Sequence, residues 1–245
     1  MKKIRFLVIF LTLCEVCFSQ VPTYNIQLNN IDIYLVEDRQ ENIDLFNKLA
    51  GDSSLQDCVS LVLHGTFLEL PQNIDCLSHI RTAQISSFQP ICLKNEFSKF
   101  EKLEDLMIFS EIAYLDETIM LSNIKSIWFK STNLKSFPKG ICNWISLEDL
   151  DIQDCNFFKI PKEIGNLINI ESLNLSSNKI SILPIEIFSL EKLKILGLGN
   201  NKLQTLSPKV CEMRVLKEIY LDNNKNLVLS NQVKECLSAK IRTLY

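Results

Sequence analysis

The sequence predicts an α/β repeat solenoid: a curved stack with a parallel β-sheet on one side and short helical or 3₁₀ turns on the other. Two observations carry this. Apolar residues return in the spacing L-x-x-L-x-L-x-x-N, as Leu147, Leu150, Ile152 and Cys155, then Ile170, Leu173, Leu175 and Asn178. Leu193, Leu196, Leu198 and Asn201 follow, then Leu216, Ile219, Leu221 and Asn224. The four starts lie 23 residues apart. A fixed period of this size marks units that cannot bury an apolar face alone and must stack.

The second half of each unit repeats as well. Phe137-Pro138, Ile160-Pro161 and Leu183-Pro184 precede Ile141, Ile164 and Ile187, and then Trp144, Leu167 and Leu190. With these residues the chain resembles the leucine-rich repeat family, in its 23-residue subclass and in the style of secreted bacterial members. The resemblance implies a leucine-rich repeat horseshoe with a concave parallel sheet, recognition of a protein or peptide, and no catalysis.

Extending the phase backwards gives starts at Ile124, Leu103, Ile80 and Cys58, so about eight units fit. In these early units the Asn slot holds Thr132, Glu111, Phe88 and Thr66. A buried amide both donates to and accepts from neighbouring backbone, whereas Thr does so in part and Phe not at all. An interrupted ladder and a local distortion are expected around residues 86–123.

Residues 1–19 read as a signal peptide. Lys2, Lys3 and Arg5 precede an apolar run from Phe6 to Leu13, and Cys17-Phe18-Ser19 favours cleavage before Gln20. The run is far short of the about 20 apolar residues that span a bilayer, and no later stretch reaches that length. The expectation is an exported protein (secreted, periplasmic or at the cell surface) with no membrane insertion after cleavage. Residues 20–57 are expected to form an N-terminal cap, because a solenoid's end face is apolar. Ile26 and Leu28 with Ile31, Ile33 and Leu35 suggest a hairpin, and Ile43, Phe46 and Leu49 an amphipathic helix. The repeats then occupy 58–238 and an edge strand 239–245. With 21 residues after Asn224, no further catalytic domain is expected.

Loss of Lys2, Lys3, Arg5 and Glu15 takes the 26 basic and 29 acidic residues to 23 and 28, a net of −5. Without a Lys/Arg cluster, such a chain is a poor partner for nucleic acid. Seven of nine cysteines remain, an odd number that leaves at least one thiol unpaired. Cys58 takes a first-position slot and Cys155 an Asn slot. Cys142 and Cys211 take equivalent slots three units apart, too far for a disulfide at about 4.8 Å per strand. Small buried hydrophobes are the expected role, and the sequence does not fix whether any of the seven pair.

In each strand x-L-x-L-x the three x positions face the concave side. The central column reads Val62, Gln84, Met107, Trp128, Asp151, Asn174, Gly197 and Tyr220. The next reads His64, Ser86, Phe109, Lys130, Gln153, Ser176, Gly199 and Asp222. Met107, Phe109 and Trp128 fall on adjacent units, bordered by Lys130, Asp149 and Asp151, with Tyr220 further along. An apolar centre with a charged rim is the anatomy of a partner-binding surface. The bland alternative is that Trp128 only covers the sheet. Asp149, Asp151 and Asp154 form an acidic cluster read as a solvated surface before a cation site. Gly197 and Gly199 are expected to leave a shallow gap, and Asn174-Leu175-Ser176 is a glycosylation sequon.

No catalytic, cofactor or metal motif is present; Cys14-x-x-Cys17 falls in the signal segment. The function expected is therefore protein or peptide binding on the concave face, with a structural or surface-adhesion role as the alternative. An enzyme built near His64 is the remote one.

Overall fold

The computed structural model describes residues 30–35, 44, 47, 59–65, 74–87, 89–130, 132–240 and 242–244. The signal segment, Ile26, Leu28, Cys58, Thr66 and Phe88 lie outside them, as does all but Asp44 and Asn47 of the expected cap helix. The strands are β1 (Asn30–Leu35), β2 (Ser60–Gly65), β3 (Thr82–Ser87), β4 (Ile91–Leu93), β5 (Asp105–Phe109) and β6 (Ile112–Leu115). They continue as β7 (Ser126–Lys130), β8 (Asp149–Gln153), β9 (Ser172–Asn174), β10 (Ile195–Gly197), β11 (Glu218–Tyr220) and β12 (Arg242–Leu244). One ten-residue helix, α1 (Asn231–Lys240), precedes β12.

Among the described residues, ten strands form one sheet in the order β1-β2-β3-β5-β7-β8-β9-β10-β11-β12. Every pairing is parallel. Eight of these strands carry the repeat phase from β2 to β11, and β1 and β12 occupy the edges. β1 runs parallel to β2, from Asn30 against Ser60 to Leu35 against Gly65, as the first rung of the main sheet.

The period of two sends alternate residues to opposite faces. The inward pairs Leu150 and Ile152, Leu173 and Leu175, Leu196 and Leu198, and Ile219 and Leu221 are all buried. Each buried Leu or Ile contributes about 1.5–3 kcal/mol, so stability accumulates unit by unit. The convex return is made by 3₁₀ turns such as Lys139–Asn143, Lys162–Asn166, Ile185–Ser189 and Pro208–Glu212. Their buried Ile141, Ile164, Ile187 and Val210 close the core from outside. Pro138, Pro161 and Pro184 stand at the entry of three of them, where a fixed φ near −70° costs nothing. Trp144 is buried, and its indole Nε1 donates to the Ile119 carbonyl at 2.7 Å.

The polar ladder divides the solenoid. Asn201 Nδ2 donates to Leu175 O, Leu198 O and Gly199 O at 2.9, 3.1 and 3.2 Å, while its Oδ1 accepts from Ile180 N at 3.0 Å. Asn224 repeats this with Leu198 O, Leu221 O and Asp222 O, and with Leu203 N. Asn178 makes the three donations, but its Oδ1 has no partner among the described residues. Upstream, the slot passes to Cys155, whose sulfur lies 3.1 Å from Thr132 Oγ1, both buried. In the unit of Leu103, Glu111 is exposed and the buried group is Ser110, whose hydroxyl reaches Gln89 O at 3.1 Å. The shorter 21-residue unit accounts for that shift by one position. Here the chain also forms a second, two-stranded parallel sheet from β4 and β6, with a register irregularity between Ile91 and Cys92. The irregularity falls within the 86–123 segment.

Two cysteines depart from their expected role. Cys211 is half-buried and bonded to Cys236 of α1, with Cα atoms 5.8 Å apart. Cys236 falls one unit on from Met213 and not at the slot of Cys211, so no equivalence of slots pointed to the pairing. Cys142 and Cys155 are buried thiols, and burial pushes Cys142 up to about 12.

Candidate recognition surface on the concave sheet

Strand register settles which side chains share the concave face. Val62, Gln84, Met107, Trp128, Asp151, Asn174, Gly197 and Tyr220 are successive Cα partners along one row. Phe109 follows His64 and Ser86 in the adjoining row, and Lys130 pairs with Gln153. Strands β5, β7 and β8 thus bring Met107, Phe109, Trp128, Lys130, Asp149 and Asp151 together. Tyr220 stands four strands beyond Trp128, about 19 Å away at sheet spacing, and belongs to a separate area.

Trp128 is the most exposed of the apolar group, at 49% of its surface, while Met107 and Phe109 are half-buried. An indole left open beside partly covered apolar neighbours supplies a large contact area that water solvates poorly. Lys130 and Asp149 are exposed at the rim, and Asp151 is half-buried next to Trp128.

Asp151 is held rather than loose. Its Oδ2 accepts from Asn174 Nδ2 at 2.9 Å and from Gln153 Nε2 at 3.3 Å, while Oδ1 is closed to solvent and has no partner among the described residues. Burial raises its pKa above the ordinary aspartate value, against the lowering effect of Asn174, and Asp154 adds to the rise. Asp149 is raised by burial and then by Glu148 and Glu171. Asp105, one row removed, is raised by burial and then by Glu104, with Asp149 contributing. Asp149 therefore acts on Asp105, whereas Asp151 feels Asp154, and Lys125, Lys194 and Lys130 oppose these effects at Asp105, Asp149 and Asp151 in turn. Asp154 is exposed in the turn after β8, at φ 56°, so the expected cluster of three resolves into two sheet residues and one turn residue.

Gly197 and Gly199 leave no gap, contrary to expectation. A Cβ on Gly197 would come within 2.5 Å of Asn174 Oδ1, and one on Gly199 within 2.4 Å of Asp222 Oδ1. Asn174 of β9 and Asp222 of the turn after β11 lie across the glycines and bury them. Asn174 Oδ1 also accepts from Ser176 N at 3.1 Å, so the sequon amide is engaged on both sides. Asn174 and Asp105 are the surface residues that sequence reasoning missed. Both occupied legible concave positions, but their polarity gave no reason to single them out.

His64 and Ser86 face each other across β2 and β3, with Nδ1 and Oγ 2.8 Å apart. The serine oxygen also approaches Leu63 O at 3.5 Å. At the opposite end Tyr220 OH donates to Glu218 Oε2 at 2.5 Å. No group of three or more metal-ligating side chains occurs among the described residues.

Against known proteins, residues 145–203 and 168–225 match the leucine rich repeat family. No curated protein matches the chain. Among solved structures, InlP of Listeria monocytogenes superposes with a TM-score of 0.67 at 17% identity, over 89% of this chain and 61% of that one. A leucine-rich repeat protein of Leptospira interrogans gives 0.53 at 23% identity, over 78% of this chain. This chain spans 55% of the Leptospira protein's length. The plant peptide hormone receptor RGFR1, in complex with RGF2, gives 0.52 at 25% identity over 69% of this chain and 29% of the receptor.

Proposed function

Because this chain is a leucine-rich repeat protein, we propose that it is an extracellular recognition module. It holds a protein or peptide on the concave face of β5, β7 and β8 and performs no chemistry on it. The observation that carries the reading is Trp128: a half-exposed indole in register with Met107 and Asp151, at the centre of an apolar area with a charged rim. Truncation of such an anchor is what costs binding energy in a recognition surface. The peptide hormone receptor that shares the fold is itself a protein seen with RGF2. Export is supported by the basic-then-apolar start of the sequence and by the Cys211–Cys236 disulfide, a bond that persists in oxidising compartments. No helix among the described residues is long and apolar enough to cross a membrane.

The test is capture from extracellular material with the mature protein and with a Trp128→Ala, Phe109→Ala double variant of matched thermal unfolding. A partner retained by the first and lost by the second supports the reading. Equal capture by both removes the site from these strands.

A further inference from the structure

Resting on the concave-face reading, we propose that the partner is a basic peptide segment. Its arginine or lysine side chain lies against the Trp128 indole with its charge over the carboxylates of Asp151 and Asp149.

Three features of the face converge on a cation. Trp128 and Asp151 are Cα partners on adjacent strands, about 5 Å apart, and Asp149 lies two residues along the same face of β8, about 7 Å from Asp151. An aromatic face attracts a cation through its quadrupole, and a carboxylate beside it supplies the counter-charge, so one side chain engages both. The surrounding field is acidic: Asp105, Asp149 and Asp151 are each disfavoured as anions by another carboxylate close by, as well as by burial. Of the nearby lysines, Lys125 is paired with Glu104 and Lys194 with Glu171, and each still favours the anion of Asp105 or Asp149, while Lys130 acts on Asp151 from the rim. Finally, Asp151 Oδ1 is shut from water with no well-formed hydrogen bond among the described residues, although the Gln153 backbone N–H lies near enough to the carboxyl to favour its anion. The free protein therefore keeps this charge under-solvated, a cost that an approaching cation lowers and that an acidic or neutral segment does not. A purely apolar partner leaves these carboxylates uncompensated and, by covering them, desolvates them further.

The probes are capped, Gly/Ser-flanked peptides carrying one central Arg, citrulline or Glu, titrated into the full mature chain. Trp128 fluorescence is the readout, and Trp144, buried and bonded to Ile119 O, supplies a constant background. The Arg peptide is expected to give a saturable change that weakens with added salt. Citrulline, which keeps the shape and loses the charge, is expected to bind at least about tenfold more weakly, and Glu not at all. Asp151→Asn weakens the Arg peptide by about tenfold, and Lys130→Ala, which removes a like charge, tightens it. Equal binding of the Arg and citrulline peptides overturns the proposal, as does an Arg affinity that neither substitution moves. A partner captured through Trp128 and Phe109 by a protein that ignores the Arg peptide leaves the concave reading standing and removes this one.

Discussion

Cys211, on the 3₁₀ turn Pro208–Glu212 of the unit that starts at Leu193, and Cys236, on α1 of the unit that starts at Leu216, are joined by a disulfide that ties these two successive units together. Units of a solenoid otherwise hold their neighbours by packing alone, and this pair is also held covalently. Replacing both cysteines with Ser is expected to cost about 2–4 kcal/mol, read as a lower urea midpoint. The unmodified protein under reductant should shift to the same midpoint. Cys142 and Cys155, buried as thiols, should resist alkylation until the chain unfolds.

The asparagine ladder carries unequal weight along the stack. Asn201→Ala leaves the Ile180 amide and three carbonyls without their side-chain partner, and is expected to cost about 2–3 kcal/mol in equilibrium unfolding. Thr132→Val removes one weak contact to the Cys155 sulfur and should cost clearly less. Similar losses at the two positions would contradict a ladder interrupted upstream.

One turn position repeats in the left-handed region: Asp154, Ser177, Asn200 and Asn223, 23 residues apart, have φ between 54° and 58°, and Asn133, two places further along its own unit, has φ 51°. Asn and Asp tolerate this conformation because their short polar side chains bond locally, whereas Ser gains less. Ser177→Asn is expected to stabilise by about 0.5–1 kcal/mol, and Asn200→Ser to destabilise by a similar amount, both by thermal unfolding.

The carboxyls of Asp105, Asp149 and Asp151 are raised chiefly by burial. A raised folded-state pKa means stability that is fully present below the ordinary value of 3.8 and is lost as pH rises through the folded value. Asp151→Asn removes that loss at one site, since its amide oxygen can accept from Asn174 and Gln153 in turn. The variant should match the unmodified protein below pH 3.8 and become the more stable of the two as pH rises, in urea unfolding across pH 3–7. Groups lowered by ion pairing, such as Glu104 with Lys125, act in the opposite sense but cancel in the comparison. A difference that does not change with pH would place the cost elsewhere.

Much of the fold was legible because the repeat writes it many times. Leu150, Ile152 and their equivalents fix the phase, and phase alone assigns Met107, Trp128 and Asp151 to one row. What escaped depended on single residues outside the pattern. Ser110 replaces Glu111 in the slot because its unit is shorter, and no spacing rule says which residue moves in. Cys236 and Cys211 occupy different slots of successive units, and phase alone does not say how closely their convex turns approach, so the bond could not be read. At Gly197 the sequence shows a missing side chain and not the Asn174 that lies over it. For the recognition surface, row membership was readable, but the hold of Asn174 on Asp151 and the orphaned Oδ1 are products of side-chain packing across strands.

The central claim is that partners meet the concave face of β5, β7 and β8. Its most direct test places a photoreactive amino acid at position 128 in one variant and at position 182, a 69% exposed site outside the concave strands, in another. Each is irradiated in extracellular material, and covalent adducts are read by mass spectrometry. The account expects a partner adduct at 128 and none of that species at 182. Adducts at 182 with none at 128, or equal yields at the two, would contradict it.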